Sequence, residues 1–193
     1  ESGVGKSRLA GELSRHARES GARILSGDCV ELCDDELPYA PLLTALRPLV
    51  RDGDPALDAL APPLRSALDA ILPGLGAAEP GGEAAQSRVF EALLALLVTL
   101  GESEPVVLIV EDLHWADEAF VRFLLSLTAH STGVPLLLVV SARPEIEERH
   151  PSWLARARRS TLLSLASLPD ASVSELVMVA LPGAPPEVLA SVI

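Results

Sequence analysis

Residues 106–112 read VVLIVED, and this stretch indicates the fold class of the chain. Its five consecutive apolar residues, preceded by Pro105 and followed by two acids, are typical of a strand buried on both faces, as in a parallel sheet. A second run of this kind, PLLLVVS, occupies residues 135–141. Such strands alternate with amphipathic helices, so the sequence predicts an α/β fold with a parallel sheet.

The segments around these two runs show helical or strand periodicity. A helix is predicted after the Gly-rich residues 1–8, with Leu9, Leu13 and Ala17 on one apolar face and Gly21 at its end. Two further strands are predicted, at residues 22–27 and 161–168. A loop is predicted at 72–83, and further helices are predicted at 37–50, 55–72, 83–100, 118–130, 153–159, 172–180 and 186–193. The helix at 55–72 should be broken at Pro62, and Asp117 should be the N-cap of the helix at 118–130.

The composition excludes several classes of protein. The chain has 193 residues, 49% of them hydrophobic and 22% charged, which is a globular balance. Its net charge of −12 disfavours binding to a nucleic-acid backbone. No apolar run reaches the roughly 18 residues of a membrane span. The two cysteines, Cys29 and Cys33, lack further metal ligands nearby and are typical of reduced thiols, so we expect a cytoplasmic protein.

The first candidate site is the segment ESGVGKS at residues 1–7. It matches the phosphate-loop pattern G-x-x-x-x-G-K-[ST] from the second position onward. Glycines let backbone N–H groups turn toward an anion, and the following helix directs its positive end there. Lys6, the only lysine in the chain, can reach terminal phosphates, and the Ser7 hydroxyl can ligate Mg²⁺. The alternative is a Gly-rich turn before an ordinary helix.

The second candidate site lies where the two buried strands end. Glu111 and Asp112 follow the first strand, at the edge where open α/β sheets bind ligands. Glu111 can hold Mg²⁺ through water, and Asp112 can orient an attacking water. Arg143 follows the second strand and can sense a terminal phosphate. The alternatives are solvated loop acids and a surface arginine, and His114 has no second ligand spaced for a metal.

Five strings together resemble a known family. They are ESGVGKSRL, GDC at 27–29, LPYAPLLTALRPL, VVLIVEDLHWADE and VVSARPE. These strings are similar to the ATPase module of STAND-type signalling NTPases, with its Walker A and Walker B motifs. The greatest similarity is to the AAA-type ATPase domain of large LuxR-type transcriptional regulators, a module that is also fused to nucleotide cyclases and kinases.

The resemblance implies an ASCE/AAA-type P-loop NTPase with a three-layer α/β/α fold, which binds ATP with Mg²⁺ and hydrolyses it slowly as a regulatory switch. It implies nucleotide-binding, metal-binding and catalytic roles for particular residues. The nucleotide would be bound by Ser2, Gly3, Val4, Gly5, Lys6, Ser7 and Arg8, the metal by Ser7 and Glu111, and catalysis would use Asp112, Glu111 and Arg143. Glu111 departs from the pattern, because many P-loop proteins have Asp at this position.

The resemblance also implies a domain organisation. We expect residues 1–168 to form the ATPase core and residues 169–193 to begin a helical lid, in a fragment that lacks the first strand of the core. The strands at 22–27, 106–111 and 135–141 should then pair in that order, with the missing strand between the last of them and 161–165. DNA would be bound only through a C-terminal domain outside this chain, and nucleotide-dependent self-association is expected.

Three alternatives remain open at this point. The chain can be a P-loop kinase of a small substrate, with Arg156, Arg158 and Arg159 as a basic lid. It can be the ATPase module of a cyclase or protein kinase signalling protein. It can also be a module that binds nucleotide without turnover. Paired acids favour water activation over transfer to a hydroxyl, which favours the ATPase.

Overall fold

A parallel sheet of three strands lies at the centre of the described structure. The computed structural model describes residues 3–30, 39–72, 82–151, 153–157 and 159–180, without the side chains of residues 82–86, 174 and 180. The strands are β1 (Arg23–Asp28), β2 (Val106–Glu111) and β3 (Leu136–Val140), paired in the order β1-β2-β3. The predicted α/β class and this strand order are confirmed.

The helices lie close to the segments where apolar periodicity predicts them, except for a short helix after β3 that the periodicity does not predict. In chain order they are α1 (Lys6–Glu19), α2 (Ala40–Asp52), α3 (Pro55–Asp58), α4 (Pro62–Asp69), α5 (Gly82–Ser103), α6 (Glu118–His130), α7 (Ile146–Arg149), α8 (Trp153–Arg156) and α9 (Asp170–Ala180). None of those in the described part of the chain combines the length and the hydropathy needed to cross a membrane. The predicted helix at 186–193 and most of the loop at 72–83 lie outside the described residues.

Local chemistry accounts for where several helices begin and end. The Asp117 carboxylate accepts a hydrogen bond from the Phe120 N–H at 2.6 Å, which confirms the predicted N-cap of α6. Helix α2 has a proline in its first turn and is capped at its C-terminus by Gly53, which has a left-handed φ of 66°. Helix α4 begins at Pro62, as the break in the apolar pattern predicts.

Alternate residues of β2 pack into two separate apolar clusters. Leu108 and Val110 belong to the main core, which contains the apolar faces of α2, α5 and α6. Val107 and Ile109 pack instead against Ala10 of α1. Because successive side chains of a strand point to opposite faces, these clusters cover the two faces of the sheet.

The buried face of α1 is formed by small residues and does not include Leu9. Ala10 is buried and Ala17 packs against the same apolar cluster, whereas Leu9 is 49% exposed. Residues seven apart share a helix face, so Ala10 and Ala17 lie on the same side of α1. The apolar face predicted from Leu9, Leu13 and Ala17 is therefore displaced by about one residue.

Residues 161–168 do not form the predicted strand. No residue between 160 and 169 belongs to a helix or strand, and Leu162 and Leu163 are 69% and 72% exposed. An apolar run becomes a strand only when a neighbour hydrogen-bonds to it, and an apolar pattern does not show whether that neighbour exists. The strand prediction for this run is wrong.

The chain divides into two compact units. The larger unit, Ser7–Thr161, contains the three-stranded sheet. The described parts of the other unit are residues 3–6 and 162–180, which include α9. The division into an ATPase core at 1–168 and a lid at 169–193 stays a prediction.

Gly27 of β1 lies against the start of α2. A Cβ atom at this position would be 2.0 Å from the carbonyl oxygen of Pro41. That oxygen belongs to the backbone, so it cannot rotate away from an added methyl group. The close approach of α2 to the carboxyl end of β1 therefore requires glycine at position 27.

Replacing Gly27 by alanine is expected to lower the free energy of unfolding by roughly 1–3 kcal/mol, because the methyl group overpacks this contact. Gly11→Ala is the matched control, since a Cβ on this α1 residue meets nothing within 4 Å. The control should stabilise the protein by roughly 0.5–1 kcal/mol. Urea denaturation measures both effects, and an unchanged stability of Gly27→Ala would show that α2 does not approach β1 so closely.

Candidate functional site

The carboxyl ends of the three strands lie side by side at one edge of the sheet. Asp28, the last residue of β1, is the register partner of Glu111, the last residue of β2. Ser141 follows β3 directly and donates its N–H to the Val110 carbonyl at 2.9 Å. The parallel pairing thus places the predicted acids at the edge where open α/β sheets bind ligands.

Ser7 and Glu111 are in direct contact at this edge. The Ser7 hydroxyl donates to Glu111 Oε2 at 2.5 Å, although the two residues are 104 positions apart in sequence. Ser7 lies in the first turn of α1, which packs on the sheet through Ala10. The structure therefore brings together the two residues that were predicted to hold the metal.

The Gly-rich segment before α1 has the backbone conformation that its glycines permit. Gly3 and Gly5 have φ values of 87° and 92°, in a region that residues with side chains rarely adopt. Lys6 is the first residue of α1 and adjoins Ser7 in the chain. Val4 is partly buried, and Ser2 lies outside the described residues. Nucleotide contacts from this segment stay a prediction.

The structure does not bring two predicted arginines to the acids. The Arg8 side chain is 85% exposed, and its Nε lies 3.6 Å from Glu12 Oε1 on the same helix. Arg143 is half-buried after β3, and within the described ranges it forms no hydrogen bond or ion pair with Glu111 or Asp112. The roles of Arg8 in nucleotide binding and of Arg143 in sensing a phosphate therefore stay predictions.

Asp112 occupies a strained turn immediately after β2. Its φ of 53° and ψ of 41° are left-handed, a region where Asp and Asn are the least disfavoured residues with side chains. Its N–H donates to the Ser141 hydroxyl at 3.2 Å, and the next N–H, of Leu113, donates to the Ser141 carbonyl at 2.9 Å. The end of β3 thus fixes the turn that carries Asp112.

His114 lies two residues after Asp112, in the same turn. It is only 3% exposed, and its Nδ1 is 3.8 Å from Asp112 Oδ1. Its ring centroid is 5.0 Å from that of Trp115, with the two planes tilted by 40°. A buried imidazole therefore lies close to the Asp112 carboxylate, and the sequence offers no signal for this burial beyond the HW pair.

The acids at this edge also affect a buried thiol. The pKa of Cys29 is raised to about 12, mainly by burial and further by the negative charges of Asp112, Asp117 and Asp28. A thiol with so high a pKa is not a nucleophile at neutral pH. Cys29 is free, and Cys33 lies outside the described residues.

The oxygen atoms of Ser7 and Glu111 are suitable ligands for Mg²⁺. Within the part of the chain that the structure describes, no group of three or more His, Cys, Asp and Glu side chains can hold a metal ion by itself. Mg²⁺ usually binds through one or two protein oxygens and completes its shell with water and substrate phosphates. The hydroxyl and carboxylate present here fit that mode of binding.

Comparison with known proteins identifies the family. Residues 1–140 match the family model described as the AAA ATPase domain, which is well over half of the chain. No curated protein matches the chain, and no solved structure matches it. The matched range includes the Gly-rich segment, β1, β2 with Glu111 at its end, and Asp112. The chain belongs to the AAA ATPase domain family.

Proposed function

We propose that this chain is an ATP-binding and slowly hydrolysing switch domain of a multidomain signalling protein. The observation that carries the proposal is the contact between the Ser7 hydroxyl and the Glu111 carboxylate. It joins the end of the Gly-rich segment to the acidic end of a buried parallel strand, as a phosphate and metal site requires. Membership of the AAA ATPase domain family supports nucleotide binding.

The residues at the start of the chain would bind the phosphates. Gly3 and Gly5 allow backbone N–H groups to face an anion, and the N-terminus of α1 adds its positive dipole. Lys6 would pair with the terminal phosphates. Ser7 and Glu111 would hold Mg²⁺, which when bound neutralises charge on the phosphates.

The residues after β2 and β3 would act in hydrolysis. Asp112 would accept a proton from the attacking water, because its side chain is partly exposed while its backbone is fixed by Ser141. Arg143 would respond to the terminal phosphate from the end of β3. Movement of this arginine after hydrolysis would distinguish the two nucleotide states of the switch.

The wider context of the proposal comes from the resemblance to STAND NTPases and LuxR-type regulators. The EDLHWAD and SARPE strings support it, and they coincide with the turn after β2 and the segment after β3. In this proposal the core is a three-layer P-loop domain, α9 begins a helical lid, and a separate domain binds DNA. Nucleotide-dependent self-association would transmit the state of the switch.

Product analysis tests the proposed reaction. The full-length protein should release inorganic phosphate from ATP with no added acceptor, at a slow rate. A phosphorylated small molecule in place of free phosphate would indicate a kinase, and intact ATP after prolonged binding would indicate a module that binds without turnover. Either of these results would contradict the proposal.

A further inference from the structure

The segment that follows β3 makes several contacts with the turn that carries Asp112. We call residues 112–116 the acid loop. Ser141 binds the start of this loop, as described above, and the His150 ring lies 3.1 Å from the carbonyl oxygen of Ala116 at its end. These contacts come from a segment that begins directly after β3 and includes α7.

Arg149, the last residue of α7, contacts the middle of the acid loop twice. Its Nη1 donates to the His114 carbonyl oxygen at 2.6 Å. Its guanidinium carbon lies 5.8 Å from the centre of the Trp115 ring, within the range of a cation–π interaction. A planar guanidinium can make both contacts at once, whereas an ammonium group has no plane to stack on the ring.

The anchoring of α7 does not depend on Arg149. Ile146, in the first turn of α7, is 5% exposed and belongs to the main core. Arg149 itself is exposed. Loss of its side chain should therefore leave α7 in place and remove the two contacts that Arg149 makes with the centre of the acid loop.

We propose that Arg149 is a positioning residue for ATP hydrolysis, which fixes the acid loop so that the Asp112 carboxylate stays oriented toward the attacking water. This inference rests on the proposed function. It assigns no contact between Arg149 and the nucleotide, so Arg149 should affect the rate of hydrolysis and not the affinity for ATP. A small displacement of a catalytic group can reduce a rate about a hundredfold.

The test compares Arg149→Gln, Arg149→Lys and a control variant in the full-length protein. Arg51→Gln is the control, because among the described residues this exposed arginine pairs only with its neighbour Asp52. Arg149→Gln should reduce single-turnover phosphate release about ten- to hundredfold. Its ATP dissociation constant and thermal midpoint should stay at the wild-type values. Arg149→Lys should recover part of the rate, and Arg51→Gln should match the wild type.

The fluorescence of Trp115 gives an independent readout in a variant of the full-length protein in which every other tryptophan, including Trp153, is replaced by phenylalanine. Arg149→Gln should change this emission, because the guanidinium no longer lies over the ring. An altered emission with wild-type hydrolysis would overturn the positioning role. The positioning role would also be overturned if Arg149→Gln lowered the thermal midpoint or the fraction of protein that binds ATP, and this loss of folded protein accounted for the whole fall in rate. Absence of ATP binding by the wild type would instead overturn the proposed function, and this inference with it.

Discussion

Replacing Lys6 by alanine is expected to weaken ATP binding by about 30- to 5000-fold in the full-length protein. Lys6 is the only lysine in this sequence, and it begins α1 directly after the Gly-rich segment, where an ammonium group could pair with the phosphates. Loss of one partner of a partly desolvated charge pair costs roughly 2–5 kcal/mol, which corresponds to that range of affinity. Calorimetric titration with ATP measures the effect.

Arg18→Ala is the matched control for this variant, because it removes the same charge from the opposite end of α1. Its ATP affinity should equal that of the wild type. If Lys6→Ala also binds ATP with wild-type affinity, the Gly-rich segment is an ordinary turn before a helix and the phosphate-loop assignment is wrong.

Replacing Asp112 by asparagine should abolish hydrolysis and leave ATP binding almost unchanged. Asn keeps the shape of the side chain and tolerates the left-handed backbone at φ 53°, so the turn should persist. It cannot accept the proton from water, and loss of a general base typically lowers a rate about 10²- to 10⁴-fold. Single-turnover phosphate release beside equilibrium ATP binding separates the two effects.

Asp52→Asn is the control for Asp112, because this exposed aspartate at the end of α2 pairs with Arg51. It should hydrolyse ATP at the wild-type rate. Wild-type hydrolysis by Asp112→Asn would remove Asp112 from the mechanism. An equal loss of binding and hydrolysis would make Asp112 a metal ligand or a residue needed for folding.

The sheet could be predicted because parallel strands leave a strong local signature. The runs VVLIVED and PLLLVVS are continuous and apolar since both faces of these strands are covered, and both runs pair as predicted. The run TLLSLASL has a similar composition but forms no strand in the described structure. This wrong prediction shows that an apolar run favours burial but does not identify a neighbouring strand that could pair with it.

The positions of Ser7 and Glu111 could be predicted from motifs, because each motif occupies a fixed place on a strand or helix end. The contacts of Arg149 and the close approach at Gly27 could not. They depend on segments far apart in sequence, such as α7 against the acid loop or α2 against β1, and neither residue has a local pattern that sets it apart. Such positions become visible only when the tertiary structure is known.

The most direct test is whether Ser7 and Glu111 form part of a metal-dependent nucleotide site. The full-length wild-type protein is titrated with ATP in two solutions, one that contains Mg²⁺ and one that contains EDTA. One ATP should bind per chain, and removal of Mg²⁺ should weaken binding by about tenfold or more, which is roughly 1.4 kcal/mol. Ser7→Ala should bind ATP with the same affinity in both solutions. Absence of ATP binding, or a wild-type affinity that does not depend on Mg²⁺, would contradict the proposed site.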